Sequence, residues 1–516
     1  MNNTGVSRKI LVFVWAVPLA LVIGYCLATP ERMQPLMVVG AVIAILITPL
    51  LLHFHHPILL FSWNLVFILG FIRGKPSLWM LMAGIGVGIA ILSRVMNKDF
   101  KLQNVPSLTR PLLFFLFVVL VTAWMTGGIG LRSLGSEAYG GKKFVFIIAA
   151  VLGYFAISAI AIPDDKVGRY SGLFFLSGAS AVLPNLIYMA GPALWMLFVV
   201  FPTDLALSQA FEDFSPYYIQ TKFSRVTGVT FASLAVFTYL TARFGLAGVL
   251  DIRKPLRIMV FVSTFVLSLL GGYRSAVMIF ALVCAFQFYF EGLHRTRLFV
   301  VVLAAMILGC VALVPLASKL PLSVQRSLSV LPLKIDPIAR ADAEGSLEWR
   351  IEIWKTLLPQ IRQYFWVGKG YAISPSDIYL STEGARRGFK VVDPAIVTGD
   401  YHSGPLSVII PLGIFGVIGF LWFIFASIRV LYLNYKYSEA SRRTLNTFLL
   451  SYFVARFVFF IVGMGAVSSD MPIFTGLIAF SVALNGGVRK NSTVQASSQP
   501  EVSLAPVEGP LAPVPT

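Results

Sequence analysis

Fourteen apolar runs follow one another along this chain, near residues 10–28, 35–53, 57–72, 76–96, 111–129, 143–162, 171–201, 227–247, 256–271, 274–291, 297–316, 403–431, 445–465 and 470–486. A helix needs about 20 apolar residues to cross a bilayer. The runs therefore predict an all-α polytopic membrane protein with about 12–14 transmembrane helices. The runs at 57–72 and 256–271 are short. The run at 171–201 contains Pro184, Gly191 and Pro192, so a broken or tilted helix is expected there. Composition agrees, with 57% hydrophobic and 12% charged residues over 516 positions and a mean hydropathy of +0.82. That excludes a soluble enzyme, a disordered scaffold and a disulfide-stapled secreted domain.

Basic residues orient the helices. With the N-terminus in the cytoplasm, twenty Lys and Arg fall on cytoplasmic segments, among them Arg8, Lys98, Arg253, Arg295 and Arg443, against nine on the short outer segments. Both termini are expected in the cytoplasm, the chain in the inner membrane of a bacterium, and the large hydrophilic insertion in the periplasm. The expected division is 1–316 with eleven transmembrane helices, 317–402 as a large periplasmic loop with short helices, and 403–486 with three further helices. Residues 487–516, rich in Pro, Ser, Val and Ala, are expected to form a disordered cytoplasmic tail. The run from Ile10 to Ala28 is long enough to span and reads as the first helix rather than a cleaved signal.

The formal charge of +18 would point to nucleic acid in a soluble chain. In a membrane chain the anion is instead a lipid headgroup or a phosphorylated substrate, so membrane lipids are expected partners and nucleic acid is not. Cys26, Cys284 and Cys310 lie in apolar runs and form no disulfide framework. His53, His55 and His56 are followed at once by Pro57 and read as interfacial residues rather than metal ligands. No nucleotide-binding motif, metal-site spacing or Ser-His-Asp order is present, so neither metal nor cofactor is expected.

Charges beside apolar runs each need a reason. Arg274, in Gly271-Gly272-Tyr273-Arg274-Ser275, lies between two runs at the expected outer surface, where a guanidinium can hold a phosphate bidentately. In the loop, Leu347, Ile351, Trp354, Leu358 and Ile361 follow the spacing of one helix face. Arg350 borders that stripe and is expected to point toward the membrane domain. The loop ends Asp400-Tyr401-His402-Ser403-Gly404-Pro405 just before an apolar run, and a histidine at such a mouth can serve as a general base. Arg225, in Ser224-Arg225-Val226-Thr227-Gly228, opens another helix on the same side and is a candidate for the same basic cluster. Arg456, inside an apolar run, is expected to pair with a carboxylate such as Asp470.

Four pieces in this order resemble the O-antigen ligase and polymerase superfamily of bacterial envelope glycan assembly. They are Arg225 with Gly228; Tyr273-Arg274-Ser275; Ser346-Leu347-Glu348-Trp349-Arg350 with Trp354 and Gly368-Lys369-Gly370; and Tyr401-His402-Ser403 before Gly413-Ile414-Phe415-Gly416. The resemblance covers roughly residues 220–430. Two positions depart from the family's pattern: Tyr364-Phe365-Trp366-Val367 stands where a His-Pro pair is usual, and Ser403 stands where Asn often follows the histidine.

The resemblance implies a metal-independent membrane glycosyltransferase with a polyprenyl-pyrophosphate-linked glycan as donor and lipid A core or another glycan as acceptor. It also implies roles: Arg274 and Arg350 holding the pyrophosphate, His402 accepting the acceptor proton, and Arg225, Tyr273, Trp354 and Tyr401 contacting substrate. A ligase differs from an O-antigen or exopolysaccharide polymerase only in its acceptor. Transfer to protein and transport of a lipid-linked sugar are the remaining alternatives. A transporter would be expected to carry paired broken helices or mid-membrane charges, whereas the candidate residues here gather at one face.

Overall fold

The computed structural model describes residues 52–70, 74–97, 103–127, 140–207, 225–373 and 394–489, with a few isolated positions besides. Nearly all of the first two expected spans, Cys26 and nearly all of the tail lie outside the described residues. Among the described residues there is no strand, and eight helices are long and apolar enough to cross a bilayer. The chain is an all-α polytopic membrane protein.

A helical run at 52–63 is followed by α1 (Leu78–Met96), α2 (Pro106–Met125) and α3 (Lys142–Ser158). The broken span Asp164–Ala190 has two α-helical pieces joined by the 3-10 turns Ser177–Val182, and it stops at Gly191 as Pro184, Gly191 and Pro192 led one to expect. Next come α4 (Thr227–Val249), the shorter α5 (Pro255–Ser268) and α6 (Arg274–Phe290), and α7 (Arg297–Leu316). A long connection follows, carrying the short helix Leu322–Ser327 and the 21-residue α8 (Pro337–Leu357). It leads into α9 (Gly404–Lys436), α10 (Ala440–Val462) and α11 (Val467–Asn485).

α11 lies at the centre, between α3 and α9, and its residues are almost all buried. Between apolar helices in lipid there is no hydrophobic driving force, so close packing and interhelical hydrogen bonds hold them together. Both devices are visible. The Trp63 indole sits against Gly153 of α3 and Gly476 of α11, where an added Cβ would come within 2.1 Å of the ring in each case, and its Nε1 donates to the Pro472 carbonyl at 3.0 Å. Asn446 and Asn485 exchange reciprocal amide bonds of 2.9 and 2.8 Å between α10 and α11. Arg456 pairs with Asp470, the partner expected from the sequence.

Two further spans are interrupted rather than straight. α4 breaks at Gly245 (φ 66°), and the Glu291 carboxylate accepts from the freed N–H groups of Leu246 and Ala247 at 2.8 and 3.0 Å. α9 breaks at Gly413 (φ 66°), two residues after Pro411. The connection closes this second break with its own backbone. Lys369 and Gly370 N–H donate to the Ile410 and Pro411 carbonyls at 2.8 and 3.0 Å, and Ile414 N–H donates to the Phe365 carbonyl at 2.7 Å. The Gly368 and Gly413 motifs are thus two sides of one contact.

α8 corrects one expectation. Leu347, Ile351 and Leu358 are exposed, while the buried positions are Ala339, Ala343, Ile353 and Leu357. The inward face is rotated by about one residue, and α8 packs along the Leu322–Ser327 helix. Ile353 and Leu357 pack with Ile396, Tyr401, Leu406 and Ile410, so α8 is fastened to the start of α9. Arg350 lies one turn before Ile353 and turns inward as expected.

Candidate functional site

The site is assembled at the ends of α4 and α6 and on the inward face of α8. Arg225 precedes α4, and Val226 N–H bonds the Leu270 carbonyl at 3.2 Å, which brings it beside the turn leading into α6. Gly272 in that turn is left-handed (φ 70°) and passes the chain directly to Arg274, the first residue of α6. The Tyr273 hydroxyl is 3.1 Å from Thr227 Oγ1, a second tie between the two helix starts. From the connection, Arg326 reaches the same turn and donates to the Gly272 carbonyl.

α8 supplies the surface on which these guanidiniums meet. The Asp342 carboxylate accepts from Arg225 at 2.9 Å and also from Arg326. One residue on, the Ala343 carbonyl accepts from Arg274 at 2.8 Å. Arg350, two turns later, joins the same group. Burial, then the nearby charges of Arg274 and Arg326, hold its pKa below the ordinary arginine value. Its Nε is buried and has no hydrogen-bond partner among the described residues. Arg326 is also held below its ordinary value, first by burial and then by Arg225, with Asp342 opposing the shift. Four guanidiniums around a carboxylate leave an excess of positive charge in a half-buried place, which favours an anion with several oxygens.

His402 borders this cluster. Its ring lies 5.1 Å from the Trp349 indole, at an interplanar angle of 59°, and Trp349 is the residue before Arg350. The backbone of His402 is left-handed (φ 49°), uncommon for a residue with a Cβ. The neighbouring elements hold it so. Trp354 Nε1 donates to the Tyr401 carbonyl at 3.1 Å, and the Tyr401 side chain is buried, which raises its phenol above the ordinary pKa. Lys143 at the start of α3 donates to the Thr398 carbonyl at 2.7 Å and to Asp400 at 2.6 Å. His402 also lines a cavity of about 520 Å³ shared with Tyr273 and Asp400.

The structure therefore brings Arg225, Arg274, Arg350, Tyr273 and His402 to one place. Trp354 and Tyr401 adjoin it and hold the His402 loop. Sequence reasoning missed Arg326, Asp342 and Lys143. Arg326 in Val324-Gln325-Arg326 and Asp342 in Arg340-Ala341-Asp342 stand in ordinary polar surroundings, and only the turn at Gly272 makes them neighbours of Arg225.

None of the curated proteins matches this chain. Residues 258–421 match the family described as O-antigen ligase. The matched stretch runs from α5 into α9 and holds Arg274, Arg326, Asp342, Arg350 and His402, whereas Arg225 and Lys143 lie before it. The match covers about a third of the chain and holds most of the gathered residues, which supports the O-antigen ligase superfamily for this all-α membrane protein.

Proposed function

We propose that this chain transfers a glycan from a polyprenyl-pyrophosphate carrier to an acceptor hydroxyl at the periplasmic face of the bacterial inner membrane, with both termini cytoplasmic. The O-antigen ligase match gives the class, a membrane glycan ligase or polymerase. The finer reading is carried by one observation: Arg225, Arg274, Arg326 and Arg350 converge beside His402.

In this reading the guanidiniums bind the pyrophosphate bridge and stabilise the charge that grows on it. His402 takes the proton from the acceptor hydroxyl as its oxygen attacks the anomeric carbon. The new glycosidic C–O bond forms while the bond from that carbon to the pyrophosphate oxygen breaks. The bonding pair leaves with the polyprenyl pyrophosphate. The membrane helices hold the polyprenyl chain, so the anomeric carbon is presented at the surface. The donor is already activated, and the scheme uses neither nucleotide nor metal.

The test is to incubate the purified protein in EDTA with a polyprenyl-pyrophosphate oligosaccharide, with and without lipid A core, and to analyse products by gel and mass spectrometry. Glycan joined to the core identifies a ligase, and lengthened lipid-linked chains identify a polymerase. A folded protein that relocates the lipid-linked glycan without forming a new bond would overturn the reading in favour of transport.

A further inference from the structure

The cavity beside His402 differs in chemistry from the arginine cluster. Arg225, Arg274, Arg326 and Arg350 do not line it, although Tyr273 and Ser275, on either side of Arg274, both do. Its charged groups are matched in pairs, Lys143 with Asp400 and Arg456 with Asp470. What it offers is a half-exposed carboxylate, the hydroxyls of Tyr273, Ser275 and Ser469, and the rings of Phe231 and Phe459. Asp400 accepts from Lys143 at 2.6 Å and from Thr398 Oγ1 at 3.2 Å. A carboxylate has about four acceptor positions, so it has capacity for further hydroxyl donors. Aromatic faces beside hydroxyls and a carboxylate suit a ligand with apolar C–H faces and many O–H groups. A volume of about 520 Å³ is in the usual range for a small-molecule site.

We infer that this cavity is the acceptor subsite, that it takes an uncharged sugar, and that Asp400, oriented by Lys143, binds a hydroxyl neighbouring the one that reacts. The inference rests on the transferase reading above, with the anionic donor in the arginine cluster and the neutral acceptor in the adjoining cavity that His402 lines. Lys143 is a positioning residue. Its ammonium fixes both the Asp400 carboxylate and the Thr398 carbonyl, and so sets the loop two residues before His402.

The experiment measures binding to the full chain in lipid nanodiscs, using a panel of neutral methyl pyranosides and disaccharides as one probe and inorganic pyrophosphate as the other. A sugar of the panel should bind saturably. Asp400→Asn and Lys143→Met should each weaken it about tenfold or more, the usual loss for a charge-assisted hydrogen bond. Lys143→Arg should restore most of the affinity, which a general loss of fold would not allow. Pyrophosphate affinity should be kept in these variants and lost in Arg350→Ala. If no neutral sugar binds while pyrophosphate does, or if sugar binding ignores Asp400, the subsite is wrong and the donor reading stands. If wild-type protein binds sugar but not pyrophosphate, the donor reading fails and the carbohydrate cavity remains.

Discussion

The indole of Trp349 lies 5.1 Å from the imidazole of His402, and this contact joins two parts of the chain that need each other. Trp349 and Arg350 are consecutive on α8, so the helix that aims a guanidinium into the cluster also walls the imidazole. In the proposed reaction the pyrophosphate leaves the carbon that the hydroxyl deprotonated by His402 attacks, and one helix contributes to the placement of both groups.

Arg350→Ala should lower transfer about 100-fold or more, as removal of one preorganised donor usually does. It should not lower the melting temperature of the unliganded protein, because burial and the charges of Arg274 and Arg326 already disfavour this cation. Pyrophosphate should raise the melting temperature of the wild type and raise that of the variant much less. Thermal unfolding with and without pyrophosphate checks both statements.

Asp342→Asn should act in the opposite sense on stability. The carboxylate that Arg225 and Arg326 share would become neutral, leaving two cations facing each other in a largely buried place. The expected loss is about 3 kcal/mol. Pyrophosphate should narrow the gap to wild type by supplying the missing negative charge. A melting temperature unchanged by the substitution would contradict the pairing.

His402 tests chemistry and backbone separately. Both His402→Gly and His402→Ala should lower transfer about 100- to 10,000-fold, the range for a lost general base. Wild-type transfer should fall as the pH is lowered, because a protonated imidazole accepts no proton, and the residual rate of either variant should lack that fall. In stability the two should differ. At a φ of 49° glycine fits freely, whereas alanine retains the Cβ penalty of about 1–2 kcal/mol. Paired pH–rate profiles and melting curves read out the two effects.

Gly413→Ala should destabilise the protein by about 2 kcal/mol or more, because the residue is left-handed and a Cβ would stand 2.7 Å from the Trp366 carbonyl oxygen. Gly368→Ala should do the same, with a Cβ 1.9 Å from the Pro411 oxygen. Gly345→Ala, within α8 where a Cβ meets nothing within 4 Å, should instead stabilise by about 1 kcal/mol. Melting temperatures of the three variants in nanodiscs decide the comparison.

Much of the membrane domain can be read from the chain because a bilayer imposes a simple demand, a run of apolar residues of fixed length. The runs at 274–291 and 297–316 correspond to Arg274–Phe290 and Arg297–Leu316. Arg274 and Arg350 were likewise conspicuous, as charges next to apolar sequence. The connection between α7 and α9 obeys no such rule. Its inward face is not the one with the larger apolar residues: Leu347 and Ile351 face outward while Ala339 and Ala343 face inward. Asp342 and Arg326 gain their meaning only across the Gly272 turn, more than 50 residues from either in the first case's partner Arg225 and in Arg326's own bond to Gly272, and periodicity carries no trace of such a contact.

The break in α9 has a consequence for how the protein is made. The N–H and C=O groups around Gly413 are completed by Phe365, Lys369 and Gly370, about forty residues earlier in the chain. During synthesis the earlier segment emerges first, and its backbone stays open until α9 arrives. Each segment thus completes backbone hydrogen bonds of the other. Insertion of α9 into the bilayer and closure of the segment before it become a single cooperative step, and a chain cut between them should yield two fragments that are competent only together.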